Sequence, residues 1–366
     1  MDRLVEPAGR VLHLGPALSV RGGVSAVERL IVEHVGAVTP IEHIATMEDG
    51  SLWRKLVVYA RALVELVKVL RSGVSVVVHI HFASRGSTLR KAILAWIVAR
   101  ARRPLVLHAH GASFDQFFTR LPRFLQRRLK RLFARADCFI VLSTQWRDFY
   151  VRHCGVPGHR VRVLHNPTAL PHSVPDRAGR KRVQFLFLGR IGSRKGAFDL
   201  LRAFAALPPE LRARARLVYA GDGDVERLRR EASGLADSVE VRAWIGAAER
   251  DSLLDESDVF VLPSYSEGVP MALLEALAHG LPVITTQVGG IADIVADRCE
   301  GLIVTPGNVE QLAAALRLMI EDEARRLELG RHARLRAESF DVSRYRVELL
   351  RLYEGLLAQA RVRSIR

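Results

Sequence analysis

VFVLPSYSEGVPMALLEALAHGLPVITTQVGGIADIV, residues 259–295, reads as one strand–loop–helix–strand unit. Residues 259–262 form a short continuous apolar run, the pattern of a strand buried on both faces. Glu267 and Gly268 fall in a loop, Pro270 suits a first helical position, and good helix formers follow. Residues 283–285 supply the next strand.

The same alternation extends outward in both directions. In the second half, strand candidates at 183–188, 215–220, 239–242, 259–262, 283–285 and 302–304 alternate with helical stretches near 197–207, 224–235, 247–256, 270–279 and 309–320. In the first half the strand candidates are 11–14, 41–45, 74–81, 105–108, 138–142 and 161–164. Strands apolar almost throughout, with helices between them, predict an α/β fold of two doubly wound, Rossmann-like domains. Residues 165–182 are rich in proline and charge and lack apolar periodicity, the mark of a connection. The expected organisation is a first domain over 1–166, a linker over 167–182 and a second domain over 183–342. A long last helix over 343–366 is expected to pack across both. Ligands of such sheets bind beyond the carboxyl ends of the strands, so functional residues should follow strands, around a cleft between the domains.

A chain of 366 residues fits two domains at roughly 150 residues each, and 49% apolar residues supply a core. Cys138, Cys154 and Cys299 lie far apart in no Cys-x-x-Cys spacing, which argues against a disulfide scaffold and a cysteine-built zinc site and fits a reducing compartment. The opening MDRLVEPAGRVLHLG lacks the basic-then-apolar plan of a secretory signal. The longest uncharged apolar stretch, 74–82, is about half of the ~20 residues a spanning helix needs. A cytoplasmic location is therefore expected. The net charge of +16 is uneven: residues 1–180 hold 28 Lys+Arg against 12 Asp+Glu, residues 181–366 hold 27 against 27. A bias toward arginine, 49 Arg to 6 Lys, would not leave the second half balanced. The positive half points to anionic lipid, nucleic acid or a phosphorylated substrate, or to a merely solvated basic surface.

Two segments carry chemistry. At Glu267–Gly268, a carboxylate and backbone N–H groups stand at a helix N-terminus, where the macrodipole favours an anion such as phosphate. Glu275 follows eight residues later, and two acceptor-only carboxylates suit a hydroxyl-rich ligand. Read alone, either acid is more readily a surface acid on an ordinary capped helix, since exposed acids near helix starts are commonplace. In FLGRIGSRKGAFDLLRAFA, residues 187–205, Arg190 and Lys195 flank a glycine-containing turn after a strand, a plausible diphosphate clamp. Alone, this segment is more often a helix start with solvated charges, since basic residues are common at loops.

Together the two segments resemble the GT4-type retaining glycosyltransferases, which have the two-domain GT-B architecture. The family's paired glutamates appear as Glu267 and Glu275, preceded by Pro-Ser and followed by a Gly-x-Pro-Val turn and Gly289-Gly290. Its FxGRxxxxKG pattern appears as Phe187, Gly189, Arg190, Lys195 and Gly196. The resemblance implies a nucleotide-sugar donor held mainly by the second domain, with the acceptor, a glycan or lipid-linked glycan, on the first. It implies that Glu267 contacts the donor sugar, Glu275 the ribose, and Arg190 and Lys195 the diphosphate. Backbone at Gly268, Val269, Pro270 and Met271 meets donor oxygens, and Ile245 and Gly246 border the nucleobase. Gly221, in the AGDG turn, and Gly22 and Gly23, in the N-terminal loop, complete the expected donor-binding set. His110, followed by Gly111, matches a family position lining the cleft near the reacting sugar. The implied reaction is attack by an acceptor hydroxyl on the anomeric carbon as the nucleotide diphosphate leaves, with retention and with no metal or other cofactor.

Asp222-Gly-Asp224 is formally a DxD but lies inside the AGDG turn, so it reads as loop. His79-Ile-His81 and His108-Ala-His110 each close a strand candidate, and alternate residues share a face. Imidazoles alone can bind zinc; no carboxylate or cysteine accompanies these, and no metal is expected. RLPRFLQRRLKRLFARA, residues 120–136, places six apolar residues on one stripe and seven cations elsewhere, with no acid. Such a helix suits an anionic membrane surface, or core packing with a solvated basic outer face. The function expected is a peripheral, cytoplasmic-face transferase of surface polysaccharide or glycolipid assembly. Two other readings stay open: a sugar-nucleotide epimerase of similar fold, and a basic nucleic-acid-binding protein. The latter needs aromatics among its cations, but Phe124 and Phe133 fall on the apolar stripe. No nucleic-acid partner is therefore expected.

Overall fold

The computed structural model describes residues 10–365, with side chains to 362; residues 1–9, on which the expectation about a leader bears, and residue 366 lie outside the described residues. The chain divides into two compact units, Met1–Pro167 with Val342–Arg366, and Thr168–Asp341.

The first unit is built on a parallel sheet of β1 (Arg10–Pro16), β2 (Ile41–Met47), β3 (Val76–Phe82), β4 (Leu105–Ala109), β5 (Cys138–Val141) and β6 (Val161–Val163), in the order β2-β1-β3-β4-β5-β6. Its helices are α1 (Gly23–His34), α2 (Leu52–Arg71), α3 (Gly86–Arg100), α4 (Phe114–Arg120), α5 (Arg123–Phe133) and α6 (Thr144–Cys154). Serine side chains start two of them, Ser51 accepting from Arg54 N and Ser143 from Trp146 N. Gly155, in the left-handed conformation, closes α6. Val76, Val78, Ile80 and Phe82 of β3 lie in the apolar core with Phe114, Phe133, Phe139 and Tyr150. The alternate positions, His79 and His81, belong to the other face. Parallel register sets His13 beside His79 and His81 beside His108.

The second unit repeats the plan with β7 (Val183–Leu188), β8 (Ala215–Ala220), β9 (Val239–Arg242), β10 (Val259–Leu262), β11 (Val283–Thr286) and β12 (Gly301–Val304), all parallel, in the order β12-β11-β10-β7-β8-β9. It carries α7 (Ala197–Ala205), α8 (Pro209–Ala213), α9 (Val225–Glu231), α10 (Ala247–Glu256), α11 (Met271–Ala278), α12 (Val309–Glu321) and α13 (Glu323–Ala337). Reversal of strand order beside β7 and β10 makes the loops after these strands the natural ligand position of the unit.

Two expected boundaries shift. The segment expected as a linker over 167–182 packs on the second unit from Thr168 onward. It has no apolar periodicity because its anchors are arginine bonds. Buried Arg177 donates to the carbonyls of Ser257 at 2.6 Å and Leu254 at 3.1 Å, and Arg180 pairs with Asp258 at 3.1 Å. The last helix, α14 (Val342–Ile365), belongs to the first unit, with Tyr345, Leu349, Tyr353 and Leu356 buried at helical spacing. On these boundaries the first unit holds 32 Lys+Arg against 13 Asp+Glu, net +19, and the second 23 against 26, net −3. Helix α13 had no sequence signal because its buried stripe is small: Gly330, Ala333 and Ala337 beside Leu329. A Cβ on Gly330 would lie 2.6 Å from the Gly280 carbonyl oxygen.

Burial lowers the imidazole pKa of His13 and of His110 to about 3, and those of His79, His81 and His108 well below the usual value. These groups are neutral when folded and take up protons near pH 6.5 when unfolded. Their stabilisation is thus complete above pH 6.5 and is lost as pH falls toward the folded values. Each proton taken up steepens the loss by about 1.4 kcal/mol per pH unit. Urea unfolding should show midpoints that fall steadily between pH 7 and pH 5. A flat profile over that range contradicts neutral burial of the cluster.

Candidate functional site

In the second unit, the turn after β7 and the turn after β10 meet around an ion pair. Lys195 Nζ lies 2.6 Å from Glu267 Oε1, and Ser264 Oγ donates to the same oxygen at 2.8 Å. Both side chains are largely buried, Glu267 at 7% exposure and Lys195 at 14%. One backbone and one side-chain bond also tie these turns, with Tyr265 N donating to Arg194 O at 2.9 Å and the Arg194 guanidinium Nη1 to Ser266 O at 2.6 Å.

Glycines permit this approach. Gly196 is left-handed (φ 69°), and a Cβ there would sit 2.2 Å from the Pro263 carbonyl oxygen. On the other side, the turn after β11 packs backbone to backbone on the Glu267 loop. Gly290 N donates to Gly268 O at 2.7 Å, and a Cβ on Gly289 would sit 1.9 Å from Glu267 O. The glycine pair singled out in the sequence therefore shapes the loop that carries the acid.

Further along, in α11, Glu275 meets Arg250 Nη1 of α10 at 2.9 Å. Burial raises the Glu275 carboxyl pKa, and the Arg250 charge opposes that rise. Ile245 and Gly246 lead directly into α10, so Arg250 links the expected nucleobase segment to the expected ribose acid. Arg190 is 70% exposed and 3.7 Å from Asp222. It therefore stands on the same turn as Lys195 but faces the AGDG turn, not Glu267. A Cβ on Gly221 would sit 1.9 Å from Gly189 O, so that glycine serves close packing of two strand ends. Asp224 precedes α9, with its N–H donating to Ile191 O at 2.9 Å, which fits its reading as loop. Residues 268–271 form the entry to α11.

The remaining expected residues lie in the first unit. Gly22, at φ 150°, precedes α1, which opens at Gly23. His110 follows β4, its N–H donating to Phe82 O at 2.8 Å and its Nε2 3.0 Å from His81 Nδ1. Sequence reasoning missed what surrounds it. Buried Glu28 of α1, Thr46 and Lys91, with part-buried His43, form a polar group beside His81. Lys91 bonds Thr46 Oγ1, and burial lowers its pKa to about 7 against the opposing charge of Glu28. A signal existed for Lys91, since Thr88, Lys91, Ala95 and Val98 share the buried stripe of α3.

Sequence profiles described as "Glycosyltransferase Family 4" and "Glycosyl transferases group 1" match residues 29–170 and 175–336. A D-inositol 3-phosphate glycosyltransferase of Streptomyces avermitilis is 30% identical over 339 residues, covering 85% of this chain and 71% of the relative. The chain belongs to the GT4-type glycosyltransferases. A Campylobacter jejuni N-acetylgalactosaminyltransferase, whose name places its substrate on undecaprenol diphosphate, is 29% identical over 69% of this chain and 68% of its own length. Among solved structures, sucrose-phosphate synthase of Thermosynechococcus elongatus matches with TM-score 0.78 at 20% identity, over 96% of this chain and all of that one. Anabaena HepE in complex with UDP-glucose matches with TM-score 0.72 at 19% identity, over 95% of this chain and all of that one. The fold of this glycosyltransferase is GT-B.

Gly290→Ala places a methyl group 2.5 Å from Gly268 O. It should cost about 1–3 kcal/mol by overpacking. Gly234→Ala, where a Cβ meets nothing within 4 Å, should leave stability unchanged. Calorimetry on both variants checks this.

Proposed function

We propose that this glycosyltransferase moves a hexosyl group from a nucleotide-sugar donor to a hydroxyl of a glycan or lipid-linked acceptor, with retention. The contact of Lys195 with Glu267 carries the reading. It sets a cation and a sugar-hydroxyl acceptor side by side, where the turns after β7 and β10 meet at the entry to α11. The UDP-glucose of HepE and the polyprenol-linked substrate of the Campylobacter relative support the two substrate classes.

In the reaction the anomeric carbon–oxygen bond to the diphosphate breaks, and its electron pair stays on the phosphate oxygen. The acceptor oxygen bonds the anomeric carbon on the same face, and its proton passes to the leaving phosphate. Lys195 and Arg190 stabilise the charge that develops on the diphosphate. Glu267 accepts from sugar hydroxyls and Glu275, steadied by Arg250, from the ribose. Backbone of Gly268, Val269, Pro270 and Met271 meets donor oxygens, Ile245 and Gly246 border the base, and Gly22, Gly23, Gly221 and His110 complete the donor surroundings. No metal and no nucleic acid takes part.

The enzyme works peripherally at the cytoplasmic face of a membrane, in surface polysaccharide or glycolipid assembly. No helix among the described residues is long and apolar enough to cross a membrane. The first unit, net +19, exposes Ile93 and Trp96 of α3 and Phe124 of α5. Only the second half of the apolar stripe on α5 is core, with Leu129, Leu132 and Phe133 buried. Apolar groups among arginines are the chemistry of an anionic lipid surface.

Lys195→Ala should lower turnover in a sugar-transfer assay by roughly 10²-fold, the loss of one preorganised electrostatic donor; undiminished turnover rejects the assignment. Sedimentation with anionic vesicles should be strong at low salt and lost at high salt. Absence of binding at low salt rejects the membrane part alone.

A further inference from the structure

Five buried or part-buried groups of the first unit form one unbranched hydrogen-bonded chain. His79 Nδ1 is 2.7 Å from the Tyr353 hydroxyl, which is 2.9 Å from His13 Nε2. His13 Nδ1 is 3.1 Å from His81 Nε2, and His81 Nδ1 is 3.0 Å from His110 Nε2. Burial keeps the four imidazoles and the phenol neutral near pH 7. Each neutral group then contributes one mobile proton. Four links use four of the five protons, so the fifth sits at one end of the chain, on His79 Nε2 or on His110 Nδ1.

Two observations choose the end. His79 Nε2 is buried with no hydrogen-bond partner. A proton there is an orphaned buried N–H, which native structures avoid more strictly than an under-used acceptor. The carboxylate oxygen Oε1 of Glu28, itself buried without a hydrogen bond, lies 3.7 Å from His81 Nδ1. An oxygen there favours an N–H on His81 Nδ1 and opposes a lone pair. Both place the protons on His79 Nδ1, the tyrosine oxygen, His13 Nδ1, His81 Nδ1 and His110 Nδ1.

We propose that Tyr353, His13 and His81 are positioning residues that fix the tautomer of His110, so that it presents Nδ1–H as a hydrogen-bond donor to an oxygen of the substrate. The role of His110 rests on the transferase reading above; the tautomer does not. The inference gives α14 a task besides packing, because its Tyr353 hydroxyl carries the constraint at His79 to the imidazoles beyond it. His108, with neither ring nitrogen bonded, packs against the chain and is outside it.

The test is long-range proton–nitrogen NMR on the full chain labelled with 15N-histidine, with His110 assigned by its loss in His110→Gln. Wild type should show His110 with a protonated Nδ1 and an unprotonated Nε2. Tyr353→Phe removes the hydroxyl alone and should move both nitrogens toward tautomer-averaged shifts, with kcat down several-fold and donor KM little changed. Tyr345→Phe is the control. It removes a buried hydroxyl of the same helix that bonds nothing, and should leave spectrum and rate as they are. Protonation of His110 Nε2 in wild type overturns the direction, and an unchanged His110 in Tyr353→Phe overturns the coupling. A stoichiometric metal in the purified protein, lost in His81→Gln, overturns the chain itself, since its nitrogens are then ligands. A tautomer shift with unaltered kcat upholds the chain and removes His110 from the transferase site.

Discussion

The ion pair between Lys195 and Glu267 is the interaction on which the second unit's site depends. It joins residues 72 positions apart, from turns after two neighbouring strands, and little of either side chain reaches solvent. Two charges held this far from water are stable only with further hydrogen bonds, and Ser264 supplies one. Everything around the pair serves to bring two backbones close enough for it to form. Gly196 yields to Pro263, and Gly289 and Gly290 yield to the Glu267 loop. On the proposed reading, a donor diphosphate would meet here a lysine already held in place and largely withdrawn from water, which is how preorganisation lowers a barrier.

The first unit solves a different problem. Its sheet face toward α14 carries the imidazoles of His13, His79, His81 and His108 beside the aliphatic Val11, Val77 and Val106, and a buried polar network is stable only when its members find partners. His13, His79, His81 and His110 bond one another or Tyr353, while His108 packs among them with neither ring nitrogen bonded. Glu28 and Lys91 form a second buried group on the α1 and α3 side, with each moving the other's ionisation against burial. The two units thus share a six-stranded, all-parallel plan with different strand orders, and they differ in the side chains they gather at their strand ends: paired ions in one, neutral imidazoles in the other.

Most of the architecture was legible because parallel strands buried on both faces announce themselves as apolar runs. Strands β7 to β10 occupy the spans expected of them. Elements held by other means were not legible. Helix α13 buries glycine and alanine, and 168–182 is fastened by arginine to carbonyl oxygens, so neither shows apolar periodicity. For the candidate site, motif spacing placed Lys195 and Glu267 on loops, and the structure brings them into contact. It could not show that Arg190 turns to Asp222, nor that Arg250 meets Glu275, because both depend on loop direction. Tyr353 lies 340 positions from His13; helical periodicity shows that it is buried, and nothing local names its partner.

The most direct measurement is a double-mutant cycle on Lys195→Met and Glu267→Gln, read as nucleoside diphosphate affinity by calorimetry. If the pair preorganises the diphosphate site, the two changes are coupled by about 1–3 kcal/mol, as contacting residues of one network are. Effects that add to within about 0.5 kcal/mol, as those of independent sites do, would contradict the account.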